Sequence, residues 1–178
     1  MNLDEIKYPI GRFKSNKNTF DTNYIKENIE ILKKFPSKLE DEIKTLNPTQ
    51  INTPYREKGW TILQLIHHLA DSHSIAYFRC KLAANQNKIS VNDFIPEQWA
   101  NHVDAKQNNY KESLSIIKGL HSRWTTFFIN LSEKKFQYKY YYTARKKFYT
   151  IYDVLGLYAW HSNHHLQHIK NVKIKMKW

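Results

Sequence analysis

Four stretches of the sequence place apolar residues at every third or fourth position, which is the spacing of one face of an α-helix. They run, approximately, from Thr22 to Leu46, from Thr61 to Cys80, from Tyr110 to Leu131 and from Tyr152 to Lys170. The 178 residues include only four glycines and five prolines, so the chain has few of the turns that a many-stranded β fold requires. The pattern predicts an all-α four-helix bundle that forms a single domain over residues 1–178.

Local signals mark where these helices begin and bend. Thr61 precedes the second apolar stripe and is a suitable N-cap, and the acidic Asp153 suits the start of the fourth helix. We expect Pro36 to kink or interrupt the first helix, because proline lacks the backbone N–H that a helix interior uses. The segment from Phe136 to Ile151 is rich in tyrosine and phenylalanine and is predicted to be extended rather than helical.

The sequence shows neither an export signal nor a membrane span. Residues 1–10 alternate charged and apolar side chains, and no run approaches the roughly 18 apolar residues of a transmembrane helix. Cys80, the one cysteine, has no partner for an internal disulfide, and its place on an apolar stripe favours an inert buried thiol. We therefore expect a cytoplasmic protein with no membrane partner.

The positive charge of the chain raises the question of a nucleic-acid partner. Lysine and arginine number 28 against 16 acidic residues, which gives a formal net charge of +12. These cations are scattered singly and in pairs, and the densest stretches are Arg145 to Lys147 and the tail from Lys170 to Lys177. Such scatter is typical of a solvated lysine-rich surface, so the sequence predicts no nucleic-acid binding.

The fourth helix carries a cluster of histidines that predicts a metal site. On a helical wheel, His165 falls inside the edge of the apolar arc and His161 beside it, while His168 lies further out and His164 furthest. Residues four apart lie one above the other on a helix, and a neutral imidazole is the commonest metal ligand in proteins. His161 and His165 are therefore the pair best able to reach one interior ion.

A further ligand is expected from the second helix, because zinc in catalytic sites takes three protein ligands and leaves a fourth position open. Its histidines are His67, His68 and His73. His73 sits well inside the apolar face, His68 lies at its border and His67 points furthest away. The wheel favours His73 or His68 as the third ligand and does not choose between them.

Motifs along nearly the whole chain resemble the YfiT group of the DinB superfamily. They are Tyr8-Pro9-Ile10-Gly11-Arg12-Phe13, Thr53-Pro54-Tyr55-Arg56 with Gly59-Trp60-Thr61, His67-His68-Leu69-Ala70-Asp71-Ser72-His73, Leu120-His121 with Arg123-Trp124, and Tyr158-Ala159-Trp160-His161 with His164-His165 and His168-Ile169. In two places the sequence departs from the family pattern. Tyr140 to Lys146 stands where members commonly have a His-Pro-Glu turn, and Pro96 to Ala100 keeps only part of an acidic-aromatic motif.

The resemblance implies a DinB-type four-helix bundle, usually a homodimer, that holds one divalent metal through three histidines. In the family the first ligand directly precedes Leu-Ala-Asp, which corresponds to His68. The other two are the histidine of the Trp-His motif and the one four residues later, which correspond to His161 and His165. The resemblance thus selects His68 where the wheel left two candidates.

Three functions fit such a site. A three-histidine ion has an open position where bound water becomes a nucleophile, which favours a metal-dependent hydrolase of a small molecule. The same position could activate a thiolate, as in the bacillithiol-type S-transferase branch of the superfamily. The third possibility is a non-catalytic stress-response module that the metal only staples together. Zinc suits three imidazoles best, and nickel is the alternative.

Two further side chains are candidate catalytic groups. Asp71, three residues past His68, could accept a hydrogen bond from a ligating imidazole, as could His164 or His73, or it could be a solvated helix residue. Arg56, in the loop before the second helix, could hold an anionic group of the substrate or form an ordinary surface ion pair.

Overall fold

A computed structural model describes residues 3–15, 20–106 and 109–178. In chain order, the α-helices within these residues are α1 (Leu3–Lys7), α2 (Thr22–Ile43), α3 (Pro48–Ile51), α4 (Ile62–Asn85), α5 (Pro96–Trp99), α6 (Lys111–Ile129), α7 (Glu133–Phe136) and α8 (Ile151–Met176). The four long helices α2, α4, α6 and α8 pack together as the predicted four-helix bundle. Among the described residues, no helix is both long and apolar enough to cross a lipid bilayer.

A small sheet lies beside the bundle. It contains β1 (Ile89–Val91), β2 (Lys139–Tyr142) and β3 (Lys147–Thr150). β2 pairs antiparallel with β3, with Tyr140 opposite Tyr149, and it pairs parallel with β1. The prediction of extended structure from Phe136 to Ile151 is confirmed for these two strands. Within that segment, Phe136 instead ends the helical turn α7, and Thr143–Arg145 form a 3₁₀ turn between the strands.

Reciprocal capping boxes set the starts of the two helices that carry the histidine motifs. Thr61 accepts a hydrogen bond from the backbone N–H of Gln64, whose side chain bonds back to Thr61. Thr150 and Asp153 make the same arrangement at the start of α8. Both predicted starts are confirmed. Pro36 is buried inside α2, which continues without interruption to Ile43, so the proline does not end that helix.

A layer of histidines divides the apolar core into two clusters. One cluster contains Leu32, Trp124 and Phe128, and the other contains Phe35 and Leu69. On α4, α6 and α8 the change from one cluster to the other falls at buried histidines, namely His73, His121 and His165. Polar groups in the middle of a core must bond to one another, which is the condition the site below meets.

Residues 3–15 run antiparallel along α8 and cover its outer side. The carbonyl of Lys7 lies 3.3 Å from Nε2 of His168, and the ring of Tyr8 packs against His164. Further along, the indole N–H of Trp160 donates to the carbonyl of Gly11. We refer to residues 3–15 as the N-terminal segment. It supplies a wall that the four helices alone do not provide.

Candidate metal centre

Three histidine side chains from two helices converge on one point. Nε2 of His161 lies 3.2 Å from Nε2 of His68 and 3.1 Å from Nε2 of His165. The ligand atoms of the three residues all lie within 4.8 Å of one another. The nitrogens of a tetrahedral zinc ion, bonded at about 2.0–2.1 Å, stand about 3.3 Å apart, so the spacing suits such an ion.

Burial keeps these imidazoles neutral. It lowers the pKa of His68 to about 4, and it lowers the pKa values of His161 and His165 well below the usual range, with neighbouring histidines adding to the effect. A neutral imidazole has one N–H and one lone pair, and only the lone pair binds a metal. The chemistry of the site therefore depends on which nitrogen of each ring carries the hydrogen.

A chain of hydrogen bonds behind His161 determines its tautomer. Nδ1 of His121 lies 2.7 Å from the carbonyl of Leu32, which only accepts, so this nitrogen carries the hydrogen. Nε2 of His121 then accepts from Nδ1 of His73, at 2.8 Å. Nε2 of His73 in turn accepts from Nδ1 of His161, at 3.0 Å. The hydrogen of His161 is thus on Nδ1, and its Nε2 lone pair points at the other two rings.

A second chain does the same for His165. Nε2 of His168 lies 3.3 Å from the carbonyl of Lys7 and donates to it. Nδ1 of His168 is left as an acceptor, and it lies 3.3 Å from Nδ1 of His165. His165 therefore donates through Nδ1 and presents the lone pair of Nε2. Two bare lone pairs, on His161 and His165, face each other across 3.1 Å, an arrangement that favours a cation between them.

His68 is held differently from the other two rings. The indole of Trp60 packs against it at 4.8 Å, but its Nδ1 is buried and has no hydrogen-bond partner among the described residues. Asp71 does not supply one. This half-buried carboxyl lies towards Asp104 and His102, and burial together with the charge of Asp104 raises its pKa to about 6. Of the two alternatives for Asp71, the hydrogen bond to the ligating His68 is not formed in this structure.

Arg56 lies behind the histidine layer. Its Nε donates to the hydroxyl of Tyr55, and its Nη1 donates to the carbonyl of Glu57. The ring of Tyr55 packs on His168 at 4.2 Å. Arg56 forms no ion pair within the described parts of the chain, and it does not line the cavity described below. Its predicted role towards a substrate anion stays a prediction.

The outward orientation expected for three histidines is wrong. His67, His164 and His168 are all buried, although the wheel placed them away from the bundle core. His67 bonds to Ser113 of α6 at 2.8 Å, while the N-terminal segment covers His164 and His168. A helical wheel shows only the apolar face of one helix and does not show which other segments pack against that helix. The motif from Tyr8 to Phe13 was the sequence signal that another segment packs there.

A second group of nitrogens, from His164, His165 and His168, also lies within 4.8 Å. All three belong to α8, and His165 is shared with the first group. Because His165 donates its Nδ1 hydrogen to His168, its only lone pair faces His68 and His161. The hydrogen-bond pattern therefore favours the first group as the metal centre.

A cavity of about 850 Å³ opens over the three converging nitrogens. Its walls come from the N-terminal segment, α4, α8 and the sheet, and it is lined by the rings of Trp60, Phe94, Tyr158 and Trp160. Tyr158 packs against His161, and its hydroxyl lies 3.2 Å from that of Ser72. Burial raises the pKa of Tyr158 to about 12, so this hydroxyl keeps its hydrogen at neutral pH. The volume lies in the range of small-molecule sites.

Comparison with known proteins gives a consistent result. A sequence profile of the DinB superfamily matches residues 31–169. YfiT from Bacillus subtilis is 34% identical over 173 residues, which cover 97% of each chain, and a relative from Bacillus licheniformis is 38% identical over 176 residues, 99% of each chain. Both are designated provisionally as metal-dependent hydrolases. The solved structure of Bacillus subtilis YfiT, described as a probable metal-dependent hydrolase with an unusual four-helix bundle topology, superimposes with a TM-score of 0.95 at 33% identity. It covers 98% of this chain and 99% of its own.

Proposed function

Since the chain belongs to the DinB superfamily, in its YfiT-like group, we propose that it is a metal-dependent hydrolase whose single divalent ion is held by His68, His161 and His165. One observation carries the proposal. The hydrogen-bond chains behind His161 and His165 turn two Nε2 lone pairs towards each other across 3.1 Å. His68 adds a third nitrogen from α4. Three neutral ligands would leave the full charge of the ion and at least one open position.

When bound, the divalent ion would supply an acidified water and a Lewis acid for the bond to be hydrolysed. The residues of the chain do the rest. The hydroxyl of Tyr158, beside His161, stays protonated and can donate a hydrogen bond to a substrate oxygen. The rings of Trp60 and Phe94 flank His68 and restrict water at that side. Zinc fits three imidazoles and a tetrahedral arrangement, and nickel is the second choice.

Metal analysis of the purified protein tests the site. We expect about one zinc or nickel ion per chain in the wild type and substoichiometric metal in His68→Ala, His161→Ala and His165→Ala. His102→Ala is the matched control, because His102 is exposed and away from the cavity. Stoichiometric metal in all three ligand variants would show that the site is assigned to the wrong residues.

A substrate screen tests the reaction. Chromogenic esters, anilides and phosphoesters are offered to zinc-loaded and metal-free protein, and we expect turnover of at least one class only with the metal. His161→Ala should lose this turnover. If none of these classes is turned over, the hydrolase proposal fails; a structural staple is selected only if metal-dependent thiol conjugation, tested below, is absent as well.

A thiol S-transferase is the second candidate, and the size of the cavity favours it. A transferase must hold a thiol and an electrophile together, and about 850 Å³ has room for two small molecules. The same screen separates the two activities when low-molecular-weight thiols and a chromogenic electrophile are added. Metal-dependent thiol conjugation without hydrolysis would select the transferase.

A further inference from the structure

Arg79 is a buried arginine whose charge is not balanced by any carboxylate of the residues that the structure describes. It lies on α4, is only 8% exposed and lines the same cavity as the three histidines. It takes part in no ion pair across residues 3–15, 20–106 and 109–178. Among these residues it makes one hydrogen bond, from Nη2 to the backbone carbonyl of Asn92. A guanidinium has five N–H donors, and the described residues pair only one of those of Arg79.

Aromatic rings surround this guanidinium where an acid would be expected. It lies 4.5 Å from the ring centre of Tyr142 and 6.0 Å from that of Tyr140. Rings stabilise a cation by their faces and leave the N–H groups at its edge unbonded. Burial raises the pKa of Tyr140 well above its usual range, so this phenol is neutral and provides no counter-charge.

The acids of the cavity do not compensate Arg79. Asp153 caps the start of α8, where its carboxylate accepts hydrogen bonds from Thr150 and from the hydroxyl of Ser15. Glu97 is exposed on α5. Two more cations line the cavity on the sheet side, Arg145 and Lys147, which lie beside the hydroxyl and the ring of Tyr149. This part of the cavity is therefore positively charged, and none of the described acidic side chains forms an ion pair with Arg79.

We propose that Arg79 forms an oxyanion subsite, which pairs with the carboxylate or phosphate end of an elongated small molecule. A buried guanidinium without a counter-ion is costly, and a planar oxyanion that bonds to two of its N–H groups offsets that cost. The proposal extends the proposed function by naming the class of substrate, and it depends on that function only for the reacting end of the molecule.

The spacing along α4 defines the length of this molecule. His68 and Arg79 are eleven residues apart, which is about 16 Å along a helix axis. Both line the cavity, with Ser72 between them on the same face. A molecule that reaches from Arg79 to the histidines thus passes the hydroxyls of Ser72 and Tyr158, which can bond to polar groups in its middle.

Calorimetric titration with succinate and with inorganic phosphate tests the subsite. Zinc-loaded and metal-free wild type should both bind at least one of these anions, and Arg79→Gln should bind it about tenfold more weakly or worse. Arg123→Gln is the matched control, since this exposed arginine of α6 packs over Tyr77 outside the cavity and its loss changes the net charge equally. Comparison of the two anions decides between a carboxylate and a phosphate.

Further variants separate this subsite from the metal centre. His68→Ala should keep anion binding, whereas an anion held at the metal would be lost with the metal. Binding lost in His68→Ala and kept in Arg79→Gln would overturn the proposal. An equal loss of anion binding in Arg79→Gln and Arg123→Gln would also overturn it, as would a loss in Arg56→Gln alone. The absence of any binding of either anion to wild type at about 50 mM, roughly the weakest affinity expected of one charged hydrogen-bonded pair, would do the same.

One measurement uses the wild-type protein and so does not require a variant to fold. In wild type labelled with ¹⁵N, the Nε–H resonance of Arg79 should shift as the anion is added, with the same midpoint as the calorimetric titration. Arg79→Lys keeps the charge but not the planar fork, and it should recover only part of the affinity. An Nε–H resonance that stays unmoved while the anion binds would place the anion elsewhere.

Discussion

Nδ1 of His161 lies 3.0 Å from Nε2 of His73, and this contact places the hydrogen of His161 on the side away from the converging nitrogens. His73 can accept it only because its own hydrogen is donated to His121, at 2.8 Å. The carbonyl of Leu32 closes the series. A backbone group of α2 thus determines which atom of a side chain on α8 is free to bind a metal.

His73→Leu should weaken zinc binding about 10- to 100-fold, because His161 then loses the acceptor that orients it. His73→Gln, whose amide oxygen can accept from Nδ1 of His161, should recover part of the affinity. Competition with a chromogenic chelator measures both, and His102→Gln is the control for the loss of one histidine. Equal affinities in wild type and His73→Leu would rule out a supporting role for His73.

The tautomers can be observed without a metal. In metal-free protein at pH 7.5, long-range ¹H–¹⁵N NMR spectra should show His161 and His165 protonated on Nδ1 and bare on Nε2. His168→Leu removes the acceptor at 3.3 Å from His165 and should change the tautomer of His165 while that of His161 stays the same. Spectra in which both rings carry the hydrogen on Nε2 would contradict the two hydrogen-bond chains.

Zinc should stabilise the fold as well as complete the site. At a free zinc concentration about 100-fold above the dissociation constant, the unfolding temperature should rise by roughly 5–10 °C. A chelator should reverse the rise, and His165→Ala should show none of it, whereas His102→Ala should respond as wild type does. Differential scanning calorimetry is the measurement. A rise in His165→Ala equal to that of wild type would mean that the stabilising zinc binds elsewhere.

Two helical glycines should respond in opposite directions to alanine. A Cβ on Gly156 would collide with the phenol of Tyr24, where α2 packs closely against α8, so Gly156→Ala should lower the free energy of unfolding by about 1–3 kcal/mol. Gly119 of α6 has nothing within 4 Å of such a Cβ, and Gly119→Ala should raise it by about 0.5–1 kcal/mol. Urea unfolding checks both, and stabilisation by Gly156→Ala would mean that the contact with Tyr24 is loose.

Acid should destabilise the metal-free protein through its buried histidines. Burial lowers the pKa of His121 from 6.5 to about 4. Between pH 6.5 and 4, this imidazole is therefore protonated in the unfolded chain and neutral in the folded chain. The unfolded state gains protons as the pH falls below 6.5, and the free energy of unfolding therefore falls, by about 2 kcal/mol for this group between pH 7 and 5. Urea unfolding of wild type and His121→Asn at both pH values tests this. Between pH 7 and 5, the free energy of unfolding should fall by about 2 kcal/mol less in the variant than in wild type. If the free energy of unfolding falls equally in both proteins, His121 does not contribute to the destabilisation by acid.

The bundle could be predicted because the apolar spacing that forms its core is local to each helix. The end of α8 could not. Val172 is buried and continues the apolar stripe past Lys170, but the side chains from Ile174 to Met176 are exposed and leave no apolar pattern that marks the end of the helix. β1 is too short to stand out in the sequence, and it exists because β2 pairs with it. The cytoplasmic location, the homodimer and the extent of a single domain stay predictions.

The histidines show what a helical wheel omits. His68 and His73 are about 140° apart around α4 and both lie within or at the border of its apolar face. The structure places His68 beside the other two candidate ligands and His73 behind His161. The wheel does not distinguish their roles, because it shows neither the height of a residue along the helix axis nor the side chains that the neighbouring helices bring to it. The wheel also cannot show that His164 and His168 are buried, because the segment that covers them is about 160 residues away in sequence.

The hydrogen bond from His168 to the carbonyl of Lys7 has a consequence for protein synthesis. Residue 7 leaves the ribosome long before residue 168 is made, so the support of His165 forms only after α8 has been synthesised. A nascent chain that ends before α8 offers His68 alone to a metal. Loading of the centre therefore follows the synthesis of α8, because an ion that arrives earlier meets only one of its three ligands.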